Sequence, residues 1–305
     1  MKIGLVGLGK MGINMAKRLM QHNHVVVGYA PSEKTRQAHL NNGGIEAKSL
    51  LNVVEQLDQP RVVWVMVPSG DITEHTILEL GEMLNSGDVL IDGGNSNYKD
   101  SIRRAGLLVQ KGIHFLDVGT SGGIWGLSEG YSIMIGGDEH VVEKIRPIFE
   151  ALAPGPGIGW GRVGPNGAGH FVKMIHNGIE YGMMQAYAEG FEILHAKKEF
   201  ALDLEQISEI WRFGSVVRSW LLDLIASGLK EDQTLNNIQP WVADSGEGRW
   251  TVQEAIDLDI PASVITIALQ RRLRSRQQEF YGDKLLAVIR NQFGGHAVKT
   301  KDEES

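Results

Sequence analysis

Residues 172–182 read VKMIHNGIEYG, which sets a lysine, a histidine, an asparagine, a glutamate and a tyrosine into a run otherwise suited to a buried helix. At about 100° per residue, Lys173, His176, Asn177, Glu180 and Tyr181 fall within an arc of roughly 140° and form one polar stripe. The other face carries Val172, Met174, Ile175, Ile179 and Met183, which suits burial. A plain solvated surface would also show a stripe. Three features point instead to chemistry. Lys, His and Glu can all work as acid–base groups. The flanking residues are apolar and small, as in the middle of a domain. A Gly/Pro-dense stretch just before the helix marks a hinge where two domains would form a cleft. Lys173 and Glu180 lie about 10 Å apart along the axis at 1.5 Å per residue. That is too far for a direct pair, but it suits two groups acting on different carbons of one elongated substrate.

The elements that must position this helix are legible upstream. Residues 2–6, 24–29, 61–67, 88–92 and 114–118 are short, β-branched and largely apolar, as in strands covered on both faces. Helix-length segments at 10–21, 33–42, 71–84 and 98–111 alternate with them. Residues 131–137 read as one more strand and 138–152 as one more helix. The alternation predicts an α/β, Rossmann-like, doubly wound and mostly parallel sheet. Residues 153–167, APGPGIGWGRVGPNG, are expected to be irregular. A long helix is expected over 168–196, then helices over 203–213, 215–228, 251–258 and 261–280. The expected division is a dinucleotide-binding domain over 1–165 and an all-helical domain over 166–305, ending in a loose charged tail.

Gly7, Gly9 and Gly12 follow the first strand and open a helix as GLGKMG, with Leu8, Lys10 and Met11 between them. In that context Gly7 permits a tight turn, Gly9 lets the backbone approach a pyrophosphate, and Gly12 lets helix and strand pack closely. The helix N-terminus then faces the phosphates. After strand two, NAD sites usually place an acid for the ribose hydroxyls. Here Ala30, Pro31 and Ser32 stand there, followed by Glu33, Lys34, Thr35 and Arg36. Ser32, Lys34, Thr35 and Arg36 suit a 2′-phosphate and Glu33 suits ribose hydroxyls. The coenzyme is NADP or NAD, with the cations tilting the balance slightly to NADP.

Ligands of such a sheet sit beyond the carboxyl ends of its strands. Val67, Pro68 and Ser69 follow strand three and would pass beneath the coenzyme. Asn95 follows strand four and offers a donor and an acceptor near the nicotinamide. Ser121, Gly122 and Gly123 follow strand five and offer a hydroxyl and bare N–H groups to a carboxylate.

Composition narrows the class. A chain of 305 residues that is 42 % hydrophobic can build one or two cores. A net charge of -7 argues against nucleic-acid binding. The absence of cysteine rules out thiol chemistry and fits a reducing compartment. No secretory leader or membrane-length apolar run is visible, so a soluble cytoplasmic protein is expected. No ligand cluster of metal spacing is visible either, and no metal is expected.

The most specific stretches are IDGGNSNYKDSIRR, SGG at 121–123, VKMIHNGIEYG, DSGEGRWT at 244–251 and RNQFGGH at 290–296. Together they resemble the decarboxylating 6-phosphogluconate dehydrogenase family, over nearly the whole chain and in a compact form. The resemblance implies oxidation of 6-phosphogluconate at C3 in the pentose phosphate pathway, then loss of CO2 to give ribulose 5-phosphate. It implies Lys173 as base and Glu180 as acid. His176 and Asn177 would bind substrate hydroxyls, and Tyr181 and Arg272 the phosphate. Asn95 and Ser121 to Gly123 would hold the sugar-acid end. Arg290 and His296 match a tail motif that reaches a partner's site, which implies a homodimer or homotetramer. Two departures stand out. Ser245 and Glu247 replace the long form's lysine and threonine, and Ala30, Pro31 and Ser32 replace its NRT. A 3-hydroxyisobutyrate-type dehydrogenase would share the glycine loop, SGG and the lysine, but would not need His176, Asn177 and Glu180 together. A silent dinucleotide sensor would need neither Lys173 nor Glu180.

Overall fold

A computed structural model describes residues 1–295 and 297–299. The chain divides into two compact units, Met1–Gly178 and Ile179–Ser305. In the first, strands and helices alternate: β1 (Lys2–Val6), α1 (Lys10–Gln21), β2 (Val25–Tyr29), α2 (Glu33–Asn41), β3 (Ile45–Glu46), α3 (Leu50–Glu55), β4 (Val62–Val65), α4 (Asp71–Met83), β5 (Val89–Asp92), α5 (Tyr98–Val109) and β6 (His114–Ser121). Then come α6 (Gly126–Glu129), β7 (Ser132–Gly136), α7 (Glu139–Lys144), α8 (Arg146–Leu152), β8 (Trp160–Gly164) and α9 (Ala168–Ala196). The strands form one sheet in the order β3-β2-β1-β4-β5-β6-β7-β8. Every pairing is parallel except β6 with β7, which is antiparallel.

The mostly parallel, doubly wound architecture is the one expected, and its cause is visible in the burial. Ile3 and Leu5 point into one apolar cluster with Trp64, Ile91, Leu116 and Phe149. Val27, Val63, Val65 and Leu90 point into a second with Val53, Ile77 and Leu80. Both faces are covered, so strands without polar alternation are stable. Three local expectations change. The segment 138–152 is two helices, because Pro147 sits at the start of α8 and Ile145 leaves helical geometry between them. The Gly/Pro stretch contains the edge strand β8, held by pairing with β7. β3 and α3 are additional to the elements that the sequence pattern predicts.

The second unit continues α9 and adds α10 (Leu204–Arg212), α11 (Trp220–Glu231), α12 (Glu247–Asp257), α13 (Ser263–Arg274) and α14 (Tyr281–Gly294). It contains no strand among the described residues. Tyr181, Ala268 and Leu269 form its small buried cluster, with Val252 and Leu273 against it. Among the described residues no helix is long and apolar enough to cross a membrane.

Candidate active site

The glycine loop has the shape a pyrophosphate requires. Gly7 has φ +100°, and a Cβ there would stand 2.3 Å from the Met66 carbonyl oxygen. A Cβ on Gly12 would stand 2.0 Å from the Gly7 carbonyl oxygen, so only glycine lets α1 start this close to β1. Around Gly9 a Cβ would meet nothing within 4 Å. Gly9 is also the N-cap of α1 and supplies no side-chain cap. Bare backbone at a helix start therefore opens onto space, which fits a dinucleotide phosphate. Leu8 is buried beneath the loop and Lys10 is exposed. Thr73, fully buried, donates to the Pro68 carbonyl at 2.8 Å and fixes the Val67–Ser69 turn.

At the β2 end, two of the groups expected to meet a 2′-phosphate are already engaged. Ser32 Oγ accepts from Thr35 N as the cap of α2. Arg36 pairs with Glu46 at 3.0 Å and donates through Nη1 to the Ala30 and Pro31 carbonyls, each at 2.9 Å.

The Asn95 loop hangs from a buried ion pair. Asp92, fully buried at the end of β5, accepts from Gly94 N (3.1 Å), Ser96 Oγ (2.7 Å) and Arg104 Nη1 (3.0 Å). Arg104 also donates through Nε to Glu74 at 2.8 Å, and Arg103 binds both Glu74 oxygens at 2.8 and 2.7 Å. Hydrogen bonds from Arg103, and then from Arg104, outweigh the opposing burial and pull the Glu74 carboxyl from 4.5 down to about 2. Asn95 itself is exposed at the tip of this held loop.

Lys173 is placed by groups that the sequence reading did not single out. Asp117, fully buried on β6, accepts from Gly167 N at 2.6 Å and His170 N at 2.9 Å and so caps α9 across about fifty residues of chain. Ser101 and the His170 ring are hydrogen-bonded at 2.7 Å. Gly119 removes the side chain that would collide, since a Cβ there would stand 2.3 Å from Lys173 Cβ. The lysine that results is only 7 % exposed. Its Nζ donates to Asn177 Oδ1 at 2.7 Å and lies 3.4 Å from His176 Nδ1, and His176 Nδ1 is 3.1 Å from Asn177 Oδ1. Ser121 and Gly122 are half-buried at the end of β6 and Gly123 is exposed. An acid in the apolar strand HFLDV, followed by glycine, is the sequence signal that would have found Asp117 and Gly119.

Farther along α9, Glu180 is half-buried and Tyr181 is 6 % exposed. The Arg272 guanidinium stacks 3.5 Å from the Tyr181 ring centroid and donates to the Ala243 carbonyl at 3.1 Å. Tyr181 OH lies 3.5 Å from Ser245 Oγ, and Gly248 leaves the room the Tyr181 ring fills. Glu247 is buried at the start of α12, 3 % exposed, rather than presented on the surface. Arg290 is exposed on α14, and His296 lies outside the described residues. The structure thus gathers Lys173, His176 and Asn177 into one cluster and Tyr181, Ser245 and Arg272 into another.

A glycine loop on a mostly parallel sheet, followed by a helix carrying a buried, hydrogen-bonded lysine, fits the class of NAD(P)-dependent oxidoreductases. Residues 2–161 match the NAD binding domain of 6-phosphogluconate dehydrogenase, and residues 169–304 match the C-terminal domain of 6-phosphogluconate dehydrogenase. YqeC of Bacillus subtilis (strain 168), provisionally named a 6-phosphogluconate dehydrogenase, is 43 % identical over 99 % of this chain and 100 % of its own length. The NAD(+)-dependent decarboxylating 6-phosphogluconate dehydrogenase of Haloferax volcanii is 39 % identical, over 99 % of this chain and all of its own length. The Plasmodium falciparum 6-phosphogluconate dehydrogenase, solved apo and with NADP+ and 6-phosphogluconate, superposes with a TM-score of 0.83 at 27 % identity, covering 100 % of this chain and 67 % of its own. The chain belongs to the 6-phosphogluconate dehydrogenase family and is an NAD(P)-dependent dehydrogenase.

Proposed function

We propose that the protein oxidises and decarboxylates 6-phosphogluconate to ribulose 5-phosphate and CO2, as a step of the pentose phosphate pathway. The observation that carries this reading is Lys173, buried and held by Asn177 on a helix that presents Glu180 seven residues later. Burial favours the neutral form of an amine, the form a base needs. The bound nicotinamide supplies the hydride acceptor. Lys173 Nζ takes the C3 hydroxyl proton, and the resulting ammonium then polarises the new C3 carbonyl oxygen. That charge stabilises the electron pair left when the C1–C2 bond breaks and CO2 departs. Glu180 returns a proton to C1 of the enediol, about 10 Å along the helix from the base. His176 and Asn177 hold substrate hydroxyls, and Asn95 with Ser121, Gly122 and Gly123 holds the sugar-acid end. Gly7 to Gly12, Ala30 to Ser32 and Val67 to Ser69 hold the coenzyme. NAD is the better fit at the β2 end, because Ser32 caps α2 and Arg36 is paired with Glu46.

The phosphate end is assigned to Tyr181 and Arg272. Charge-assisted hydrogen bonds to a phosphate are worth about 1.5–3 kcal/mol. Arg272→Ala is therefore expected to raise KM for 6-phosphogluconate by about 10- to 100-fold. Unphosphorylated gluconate should be affected far less. Equal weakening of both substrates in steady-state assays would remove Arg272 from the phosphate site. CO2 release coupled to coenzyme reduction separates this reading from a 3-hydroxyisobutyrate-type dehydrogenase.

The reading includes a homodimer, with Arg290 and His296 serving the partner's site. Its support is the apolar surface of the helical unit: Ile179, Val264 and Ile267 are more than half exposed, and Met184, Phe191, Leu224 and Ile225 line a pocket of about 560 Å³. Sedimentation at micromolar concentration should give twice the chain mass or a multiple of it; a stable monomer with full activity would refute it.

A further inference from the structure

We propose that the Arg36–Glu46 ion pair sets coenzyme choice: Glu46 cancels the guanidinium that stands where a 2′-phosphate would arrive, and so biases the enzyme to NAD. This rests on the coenzyme reading given above and assigns the residue that tunes it. Arg36, in the first turns of α2, reaches back to the carboxyl end of β2 and donates to both the Ala30 and Pro31 carbonyls. Those two residues occupy the position beside which the adenosine ribose lies in this fold. Its Nε donates to Glu46 Oε1 at 3.0 Å. Glu46 comes from the edge strand β3, where it is in register with Gly28 of β2. The two side chains are only 14 % and 21 % exposed, so solvent screens the pair incompletely.

The geometry leaves Arg36 able to bond but not to attract. Nε and Nη1 are committed, and among the described residues nothing accepts from Nη2. The two remaining N–H donors can meet neutral ribose hydroxyls at little cost. A dianionic 2′-phosphate would instead meet a guanidinium whose charge is already matched, with the Glu46 carboxylate adjacent. Glu46→Gln keeps the acceptor oxygen for Nε and nearly the same shape, but removes the charge. It should leave Arg36 in place as an uncompensated cation facing the ribose.

The experiment measures kcat/KM for NAD and NADP with 6-phosphogluconate, and also coenzyme binding by calorimetry without any sugar acid. In Glu46→Gln the NADP-to-NAD ratio is expected to rise by about 10- to 100-fold in both readouts, because a charge-assisted contact is gained. The NAD values should move by less than about threefold. Adding Arg36→Gln to Glu46→Gln should cancel the gain. Glu46→Ala should shift the ratio in the same direction, and its melting curve shows whether the edge strand survives. A binding ratio unchanged within twofold in folded Glu46 variants overturns the proposal, and so does a gain that persists without Arg36. Failure to turn over 6-phosphogluconate would count against the substrate reading alone, because the binding ratio is read independently of it.

Discussion

Lys173→Met is expected to lower turnover by at least about 10⁴-fold, because on the proposed mechanism it removes two contributions at once. A positioned general base is worth about 10²–10⁴-fold, and a charge aimed at a developing oxyanion about 10²–10³-fold. Methionine has nearly the length of the lysine stem and no charge, so it fits the space that Gly119 leaves and strands no buried ammonium. The fold and the glycine loop should survive, and coenzyme affinity should stay within about twofold, since the loop is held by backbone hydrogen bonds from Gly7 N to the Tyr29 carbonyl and from Ile13 N to the Gly9 carbonyl, each at 2.9 Å. Turnover within tenfold of the native enzyme would remove Lys173 from the role of base in the proposed reaction. Loss of coenzyme binding along with turnover would mean that Lys173 holds the coenzyme rather than the reacting hydroxyl.

Arg104→Met is expected to cost about 3–5 kcal/mol of stability, the usual penalty for breaking a buried pair and leaving one charge behind. Asp92 would remain fully buried with only Gly94 N and Ser96 Oγ as partners. Urea unfolding measures the loss, and Arg104→Met with Asp92→Asn should recover part of it. A loss below about 1 kcal/mol would show that water reaches Asp92 and replaces the guanidinium. The cluster also has a pH signature. The Glu74 carboxyl sits at about 2 when folded against 4.5 for an unperturbed glutamate. Its folded value is depressed, so its stabilisation is present above about 4.5 and is lost as pH falls from there toward 2. Glu74→Gln should flatten that limb of the stability profile; an unchanged slope would place the acid sensitivity elsewhere.

Features written locally in the chain were legible without coordinates. The glycine loop, β1, α1 and the whole of α9 follow from spacing and apolar runs over fewer than thirty residues each. Features that depend on distant partners were not. Trp160 to Gly164 carries two glycines and reads as loop, yet β7 recruits it as an edge strand. α14 was not anticipated, and α12 begins at Glu247 rather than 251 because Gly246, at φ +105°, turns the chain into it. Periodicity also separated the two faces of residues 172–183, but the expectation that the apolar face is the buried one holds only in part, for Met174 is 3 % exposed. Lys173 and Tyr181 of the polar stripe are buried, while Ile179 and Met183 of the apolar face are 53 % and 39 % exposed. The catalytic candidates were visible as residue types, whereas the groups that hold them, Asp117, Gly119, Ser101 and Arg104, act across 50 residues or more, or within a buried network.

The Asp117 cap has a consequence for anyone recombining this scaffold. One carboxylate on β6 fastens the start of α9, and the same strand ends in Ser121. On the proposed mechanism, the grip on the acid end of the sugar and the aim of the proton acceptor would both descend from a single strand. A chimera joined at the Gly/Pro stretch before α9 would inherit the lysine without its anchor, whereas one joined upstream of His114 would carry both.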